Sequence, residues 1–270
     1  MSNPSTTTAD ASATAQLGVF CWIELHTRTR AQARAFFTKV VGWTIKSCEG
    51  SGCPDGNVYE EWIASDGATI GGMMDMPPGV PAFVPSNFAT YVNVADVDAS
   101  VARVPGLGGK VIMPPMDIPS VGRFAVVADP TGACVNLFKG IAMHGTTAPV
   151  SHPGHFCWNE LMTTDPKAAG AFYTALLGYS TTSMPMPSGE YTMFVREGTA
   201  DCFVGGMMQS EGHSCWLPYV CVTNVDACVA IAAAEGGRVL HAPSDVPGFG
   251  RSAVIADPSG AALGLFTPAA

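Results

Sequence analysis

The chain has 270 residues, of which 47% are hydrophobic and 13% charged, a composition typical of a globular protein rather than a disordered one. Its net charge of −9 argues against the basic surface that binding to nucleic acid or to an anionic membrane requires. No apolar run approaches the roughly 18 residues that a membrane-spanning helix needs.

The N-terminal segment, residues 1–17, is rich in small polar residues and is predicted to be a disordered tail. It lacks the basic start and the apolar centre of a secretory signal. The nine cysteines are odd in number, include no CxxC pair and fall mostly in strand-like runs. These features favour reduced core thiols in a cytoplasmic protein.

The first predicted element is the strand FCWIELHT, residues 20–27, in which side chains alternate in character. The segment between Thr29 and Gly42 then places apolar residues at helical spacing and predicts a helix. The elements that follow are strands at 43–48, 58–65, 68–75 and 88–95, a helix over 97–104, and strands at 109–114, 122–128 and 133–138.

The second half of the chain repeats the sequence of the first half. The segment GGKVIMPPMDIPSVGRFAVVADPTGACVNLF, residues 108–138, matches GGRVLHAPSDVPGFGRSAVIADPSGAALGLF, residues 236–266. Two homologous domains are therefore predicted, at 18–139 and 154–268, with a linker over 140–153. The order of one strand, one helix and three strands occurs four times in total.

The order of elements and two sets of motifs resemble the vicinal oxygen chelate superfamily, the fold of glyoxalase I, bleomycin-resistance proteins and extradiol dioxygenases. The motifs are the helix endings AFFTKVVGW and AFYTALLGY and the closing segments GRFAVVADPTGACVNLF and GRSAVIADPSGAALGLF. The resemblance covers both halves and is greatest to the two-domain, glyoxalase-like bacterial branch. It implies an α+β fold of tandem domains, each with two βαβββ units whose curved mixed sheets enclose a cavity.

In enzymes of that superfamily, His, Gln or Glu side chains at fixed strand positions hold a divalent metal in the cavity. The corresponding positions of this chain are Trp22 and Trp158, Ala89 and Leu217, and Asn136 and Gly264. An indole only donates hydrogen bonds and an aliphatic side chain has no lone pair to offer a metal. The resemblance therefore implies a site that has lost its metal ligands, and no metal or other cofactor is predicted.

Each copy of the first strand carries a glutamate, Glu24 in the first and Glu160 in the second. Because side chains alternate between the faces of a strand, Glu24 shares a face with Trp22 and Glu160 shares one with Trp158. The resemblance implies that this face lines the cavity. A carboxyl group in an apolar pocket has a raised pKa that suits acid–base chemistry, so the two glutamates are the candidate catalytic residues. The two indoles are candidate walls for a planar ligand.

A second interpretation concerns Arg123 and Arg251, which occupy matching positions in the two repeats. A buried Arg–Glu bridge within each half would explain why both residues occur twice, and it is the favoured interpretation of the glutamates. A carboxylate that contacts the ligand is the next alternative, and a metal ligand is the third. An arginine in such a bridge could also touch the ligand, so both arginines are candidate binding residues.

The doublets IGGMM, residues 70–74, and VGGMM, residues 204–208, form the last candidate feature. Adjacent glycines within a strand indicate a bulge or a close approach of another group. Methionine provides an adaptable apolar wall, so Met73 and Met207 are candidate ligand-binding residues, with ordinary core packing as the alternative.

Three functions remain open from the sequence. The first is a protein that binds or sequesters an apolar or aromatic organic molecule. The second is a metal-independent or atypical-metal lyase or isomerase that uses Glu24 or Glu160 as an acid–base group. The third is a scaffold in which one half is purely structural. The expected partner is a small organic ligand rather than nucleic acid or membrane, and the chain is expected to be a monomer or a homodimer.

Overall fold

A computed structural model describes residues 17–48, 59–141, 152–186, 189–196 and 202–269. Nearly all of the predicted tail and most of the predicted linker lie outside the described residues. The described strands are β1 (Phe20–Thr27), β2 (Thr44–Cys48), β3 (Tyr59–Ile63), β4 (Thr69–Asp75), β5 (Asn87–Asn93), β6 (Lys110–Ile118), β7 (Gly122–Ala128), β8 (Cys134–Gly140), β9 (Phe156–Thr163), β10 (Tyr179–Met186), β11 (Gly189–Arg196), β12 (Phe203–Gln209), β13 (Cys215–Cys221), β14 (Arg238–Val246), β15 (Gly250–Ala256) and β16 (Ala262–Pro268). The described α-helices are α1 (Arg30–Val40), α2 (Val97–Arg103), α3 (Pro166–Leu177) and α4 (Val225–Ala234).

Each sequence repeat forms one eight-stranded mixed sheet. The strand order is β2-β3-β4-β1-β5-β8-β7-β6 in the first repeat and β10-β11-β12-β9-β13-β16-β15-β14 in the second. Within a βαβββ unit, the first strand pairs in parallel with the last, as β1 does with β4 and β13 with β16. Strands that follow one another after the helix pair antiparallel. The predicted α+β fold of four βαβββ units in two curved sheets is confirmed.

The helices pack on one face of the sheets, as the spacing of their apolar residues predicts. Helix α1 buries Phe36 and Phe37 on the side that meets the strands. The ring of Phe37 lies 5.9 Å from that of Trp62, which in turn lies 5.2 Å from Trp43. Both indoles are fully buried, and each such side chain stabilises the fold by roughly 1.5–3 kcal/mol.

Three of the four described α-helices begin with a side-chain cap, and the exception is α1, where Thr29 makes no such hydrogen bond. Asp96, Asp165 and Asn224 each accept a hydrogen bond from the backbone N–H three residues further on, at 2.9, 3.0 and 2.9 Å. Such a cap satisfies a donor that the helix itself leaves unpaired. Helix α3 ends at Gly178 in the left-handed conformation, with φ +72°, which glycine adopts without strain. The stop signal in the sequence is therefore explained.

The DPxG motif that closes each repeat has a structural use. Asp257 accepts hydrogen bonds from the backbone N–H groups of Ser259 and Ala261, at 2.9 and 2.8 Å, and so holds the turn closed. The hydroxyl of Ser259 then reaches that of Thr27, at the end of β1, at 3.5 Å. Burial raises the pKa of Asp257, although these hydrogen bonds oppose the shift. The motif is therefore a turn that docks on another strand.

Contacts between residues divide the chain into two compact units. Among the described residues, unit 1 comprises those within 17–21, 91–141 and 163–214, and unit 2 comprises those within 22–90, 152–162 and 215–269. Unit 1 therefore holds β6–β8 with β10–β12, and unit 2 holds β1–β4 with β13–β16. In the described ranges, the helices are all too short or too polar to cross a membrane.

Candidate functional site

Side chains on the strands point either to the helix face of the sheet, which the helices cover, or to the opposite face. In β9, Leu161 is fully buried on the helix face, so Glu160 points to the opposite face. Its direct register partner on β13 is Leu217, and Trp158 is paired in the same way with Tyr219. These residues of unit 2 form the candidate site of the second repeat.

At this site Glu160 is 9% exposed and accepts a hydrogen bond from the hydroxyl of Tyr219, at 2.8 Å from Oε2. Cys215 lies on the same face, and its pKa is raised by burial and further by the negative charge of Glu160. A charge-assisted hydrogen bond of this kind is stronger than a neutral one and holds the carboxylate in one orientation. The half-buried Trp158 lies beside Tyr219, so an indole borders the carboxylate.

The first repeat has a different set of partners around its glutamate, also within unit 2. Glu24 is 6% exposed, and its Oε1 lies 2.7 Å from Nε2 of His26 on the same face of β1. The indole Nε1 of Trp22 donates a hydrogen bond to the hydroxyl of Tyr59, at 2.8 Å. Both predicted residues, Trp22 and Glu24, therefore lie together on the opposite face, with an imidazole and a phenol as neighbours.

The glycine doublets explain the position of two tyrosines that the sequence analysis missed. A Cβ atom on Gly72 would overlap the hydroxyl and ring of Tyr59, and one on Gly206 would overlap those of Tyr191. The second glycine of each doublet therefore makes room for a tyrosine ring that lies flat on the sheet. Gly72 is also the register partner of Glu24, so the phenol of Tyr59 lies close to that carboxylate.

The predicted bridges of Arg123 with Glu24 and of Arg251 with Glu160 are wrong. Arg251 donates from Nε and Nη2 to Asp226 on α4, at 2.6 and 2.9 Å, and from Nη1 to Asp245 on β14, at 2.8 Å. Its side chain therefore points to the helix face, whereas Glu160 points to the opposite face.

Arg123 makes the same three hydrogen bonds in unit 1. It donates to Asp98 on α2 and to Asp117 on β6, at 2.6 to 2.9 Å. The three donating nitrogens are thus engaged by surface aspartates in each copy, and these carboxylates replace the predicted glutamate partners. The pKa of Asp98 is lowered by its hydrogen bonds with Arg123.

Met73 and Met207 are also not part of the opposite face. Met73 is fully buried in the hydrophobic core of unit 2, and Met207 is 3% exposed. The core alternative is therefore correct for Met73. Met207 contributes to a groove of about 810 Å³ on the helix face of unit 1, between α3 and strands β10–β12.

The space that corresponds to this groove in the first repeat is filled by side chains. There the side chain of Arg34 on α1 forms an ion pair with Glu60 on β3. The corresponding residues of the second repeat are Gly170 and Thr192, and both line the groove. The volume therefore arises because a small helical residue and a hydroxyl stand where the other repeat has two long charged side chains.

The residues at the superfamily's metal positions do not fit a divalent ion. In the second repeat these positions hold Trp158, Leu217 and Gly264, none of which supplies an oxygen, nitrogen or sulfur donor. A Cβ atom on Gly264 would also overlap the ring of Tyr219, so no longer side chain fits there. Among the described residues, no group of three or more His, Cys, Asp or Glu side chains is arranged to hold a metal.

Comparisons with known proteins agree with this fold. Residues 21–137 match the family model described as Glyoxalase/Bleomycin resistance protein/Dioxygenase superfamily. Over 253 residues the chain is 37% identical to CFP32 of Mycobacterium tuberculosis, a protein named provisionally as a glyoxylase, and the match covers 92% of this chain and 94% of CFP32. Over 264 residues it is 30% identical to the anthracycline biosynthesis protein DnrV of Streptomyces peucetius, covering 92% of each chain.

Solved structures share the fold at low sequence identity. The 2,3-dioxygenase LapB from Pseudomonas sp. KL28 superposes with a TM-score of 0.62 at 13% identity, covering 94% of each chain. The Mn(II)-bound glyoxalase from Novosphingobium aromaticivorans gives a TM-score of 0.62 at 16% identity, covering 93% of this chain and 82% of the other. At such identities the likeness concerns the architecture and carries no activity with it.

Proposed function

Because the chain belongs to the glyoxalase, bleomycin resistance protein and dioxygenase superfamily, we propose that it binds a small, planar aromatic molecule on the opposite face of its sheets. One observation carries this proposal. Both repeats place a buried glutamate next to a half-buried tryptophan on that face, and each tryptophan stands at a position where metal-dependent members of the superfamily carry a metal ligand.

The physical logic is that of an apolar pocket with one fixed polar group. Indole and phenol rings bury a large apolar area and favour stacked or edge-to-face contacts with another aromatic ring. A carboxylate held by Tyr219 at 2.8 Å accepts a hydrogen bond from a ligand hydroxyl or amine and so sets the ligand's orientation. The relative named for anthracycline biosynthesis supports a ligand from a planar aromatic class.

A second candidate function rests on the pair formed by Glu24 and His26. A carboxylate 2.7 Å from an imidazole is an arrangement that positions a proton for transfer to or from a bound molecule. This pair supports a metal-independent lyase or isomerase in which Glu24 is the acid–base group. In the second repeat, Glu160 is paired with a phenol instead and is the weaker candidate for this role.

The decisive experiment is native mass spectrometry of the protein purified from its own host. We expect a co-purified organic molecule with an aromatic ultraviolet spectrum, released on denaturation. The variants Trp22→Ala and Trp158→Ala should reduce its retention, whereas the control Glu190→Gln, on an exposed side chain, should not. Full retention by a Trp22→Ala/Trp158→Ala double variant with an unchanged melting temperature would refute the proposal.

Glu24→Gln separates binding from catalysis. If the protein is a binder, this variant should still retain the molecule, with affinity changed by roughly tenfold or less. If Glu24 is an acid–base group, the variant should bind the molecule and lose its conversion. The matched change Glu160→Gln provides the comparison in the other repeat.

A further inference from the structure

We propose that the second repeat carries the principal ligand site, and that strands β14 and β15 select an elongated planar ligand with hydrogen-bonding groups at both ends. This inference rests on the proposed binding function and names the site and the ligand class. The opposite faces of the two repeats differ at several matching positions on β6 and β7 in one copy and β14 and β15 in the other.

The site of the second repeat continues from Glu160 across unit 2. The register partners form a row across four strands, from Tyr219 through Gly264 and Val254 to His241. The next row runs from Phe266 through Ser252 to Ser244. Two serines and a histidine therefore lie on the face that carries Glu160, at the end distant from it.

In the first repeat the same positions are filled by larger or apolar side chains within unit 1. Phe124 stands in place of Ser252, Met116 in place of Ser244, and Met113 in place of His241. The ring of Phe124 lies 6.3 Å from that of Tyr91, which packs at 6.0 Å against Phe138. The first repeat therefore closes this part of its opposite face with its own side chains.

The replacements have two consequences in the second repeat. Exchanging a phenylalanine for a serine frees the volume of a whole ring. The neighbouring residue, Gly264, has no side chain, and the ring of Tyr219 lies over it. The hydroxyls of Ser244 and Ser252 also make no hydrogen bond to another described residue, so both are available to a ligand. Serine hydroxyls both donate and accept hydrogen bonds.

The spacing of the strands sets the size of the ligand. Neighbouring strands are about 4.8 Å apart, and each residue advances about 3.3 Å along a strand. Ser252 lies three strands from Glu160, about 14 Å across the sheet, and four residues, about 13 Å, along the strand direction, so about 19 Å separates the two positions in the sheet. A molecule of three or four fused six-membered rings reaches across this separation when it carries an oxygen at each end, one hydrogen-bonded to the side chain of Glu160 and the other to that of Ser252. Tyr219, between them, offers the face of its ring for stacking. The ligand class is therefore a fused-ring aromatic compound with hydroxyl or carbonyl groups at both ends.

The test uses two probes of one shape, a dihydroxyanthraquinone and unsubstituted anthraquinone, titrated by quenching of tryptophan fluorescence. Wild type should bind the dihydroxy probe about tenfold more tightly, the effect of one or two added hydrogen bonds. The variant Ser244→Ala/Ser252→Ala should lower this preference to about threefold, because Glu160 still accepts a hydrogen bond at the other end. It should keep the affinity for anthraquinone. The variant Ser244→Met/Ser252→Phe, which introduces the residues of the first repeat, should lose at least tenfold in affinity for both probes.

The matched control makes the reverse change in the first repeat, Met116→Ser/Phe124→Ser, and should leave the affinity for both probes within about twofold. Melting temperatures establish that each variant is folded. Equal binding of both probes by wild type, or unchanged binding by Ser244→Met/Ser252→Phe, overturns the inference. If host-derived molecules co-purify and are lost through Trp22→Ala alone, the proposed function stands and the assignment to the second repeat fails. If neither probe binds and nothing co-purifies, both fail.

Discussion

Replacing Arg34 with methionine should destabilise the first repeat markedly, because it removes the partner of a buried carboxylate. The side chain of Glu60 is only 2% exposed, while that of Arg34 is 48% exposed. In the described structure Oε2 of Glu60 already has no hydrogen-bond partner. Breaking a fully buried pair costs about 3–5 kcal/mol. Since Arg34 is half-exposed and water reaches the pair, we expect a loss of about 2–4 kcal/mol in the free energy of unfolding.

The second repeat shows how this cost can be removed. There Thr192 stands at the position of Glu60 and needs no counter-charge. The double variant Arg34→Met/Glu60→Thr should therefore recover most of the loss, because it no longer buries an unpaired carboxylate. Arg34 and Glu60 are coupled in this sense only if the double variant is more stable than Arg34→Met alone.

Urea unfolding followed by tryptophan emission measures this effect, because Trp43 and Trp62 are fully buried in the hydrophobic core of the repeat that contains Arg34 and Glu60. The control is Lys46→Met, which breaks the pair with Glu61 at 3.6 Å, where the lysine side chain is 68% exposed. Such a surface pair contributes about 0–1 kcal/mol. The reasoning is refuted if Arg34→Met costs no more than Lys46→Met, or if the double variant is the least stable of the set.

Three further predictions concern pH, reactivity and packing. Hydrogen bonds from Arg251 lower the pKa of Asp226 below its usual value of 3.8. Their contribution to the free energy of unfolding is therefore present above that pH and is lost as the pH falls through the lowered value. Arg251→Met should flatten the acid limb of a stability–pH curve, and an unchanged limb would contradict this. Burial raises the pKa of Cys21 to about 12, so iodoacetamide at pH 8 should label this thiol far more slowly in native than in denatured protein, as peptide mass spectrometry would show. Gly206→Ala should cost about 1–3 kcal/mol by overpacking against Tyr191, and Tyr191→Ala in the same chain should relieve part of the cost in urea unfolding.

The fold was predictable because local sequence patterns specify each βαβββ unit, and the unit occurs four times in the chain. Strand alternation, helical spacing and turn residues predicted every strand and α-helix of the first repeat, and the largest error in their bounds concerned β6. This strand was predicted to end at residue 114, before the pair Pro114 and Pro115, but it continues to Ile118. It forms an edge of its sheet, where a proline can lie without breaking a hydrogen bond between strands.

The site was predictable only in part, because alternation along a strand assigns a face but not a neighbour. It placed Trp22 and Glu24 together correctly. The partner of Arg123 depends on which helix covers the sheet, and the sequence contains a signal for this partner. Asp98 and Asp117 recur at matching positions in the second repeat, just as the arginine does, so a repeated surface pair was available as an alternative to the bridge with Glu24.

The two repeats differ in a way that bears on function. Positions that fix the architecture are the same in both copies, such as the arginine that ties a helix to its sheet and the glycine beneath a flat tyrosine ring. The glutamate and tryptophan of the opposite face are also the same. Differences occur on both faces: Gly170 and Thr192 correspond to Arg34 and Glu60 on the helix face, and Ser252 corresponds to Phe124 on the opposite face. Where side chains fill the space between a helix and its sheet, large changes in their volume cost stability, and the groove beside Gly170 is a place where that space is left open. An opposite face that meets solvent carries less of that constraint, and its divergence gives one scaffold two opposite faces of different size and polarity.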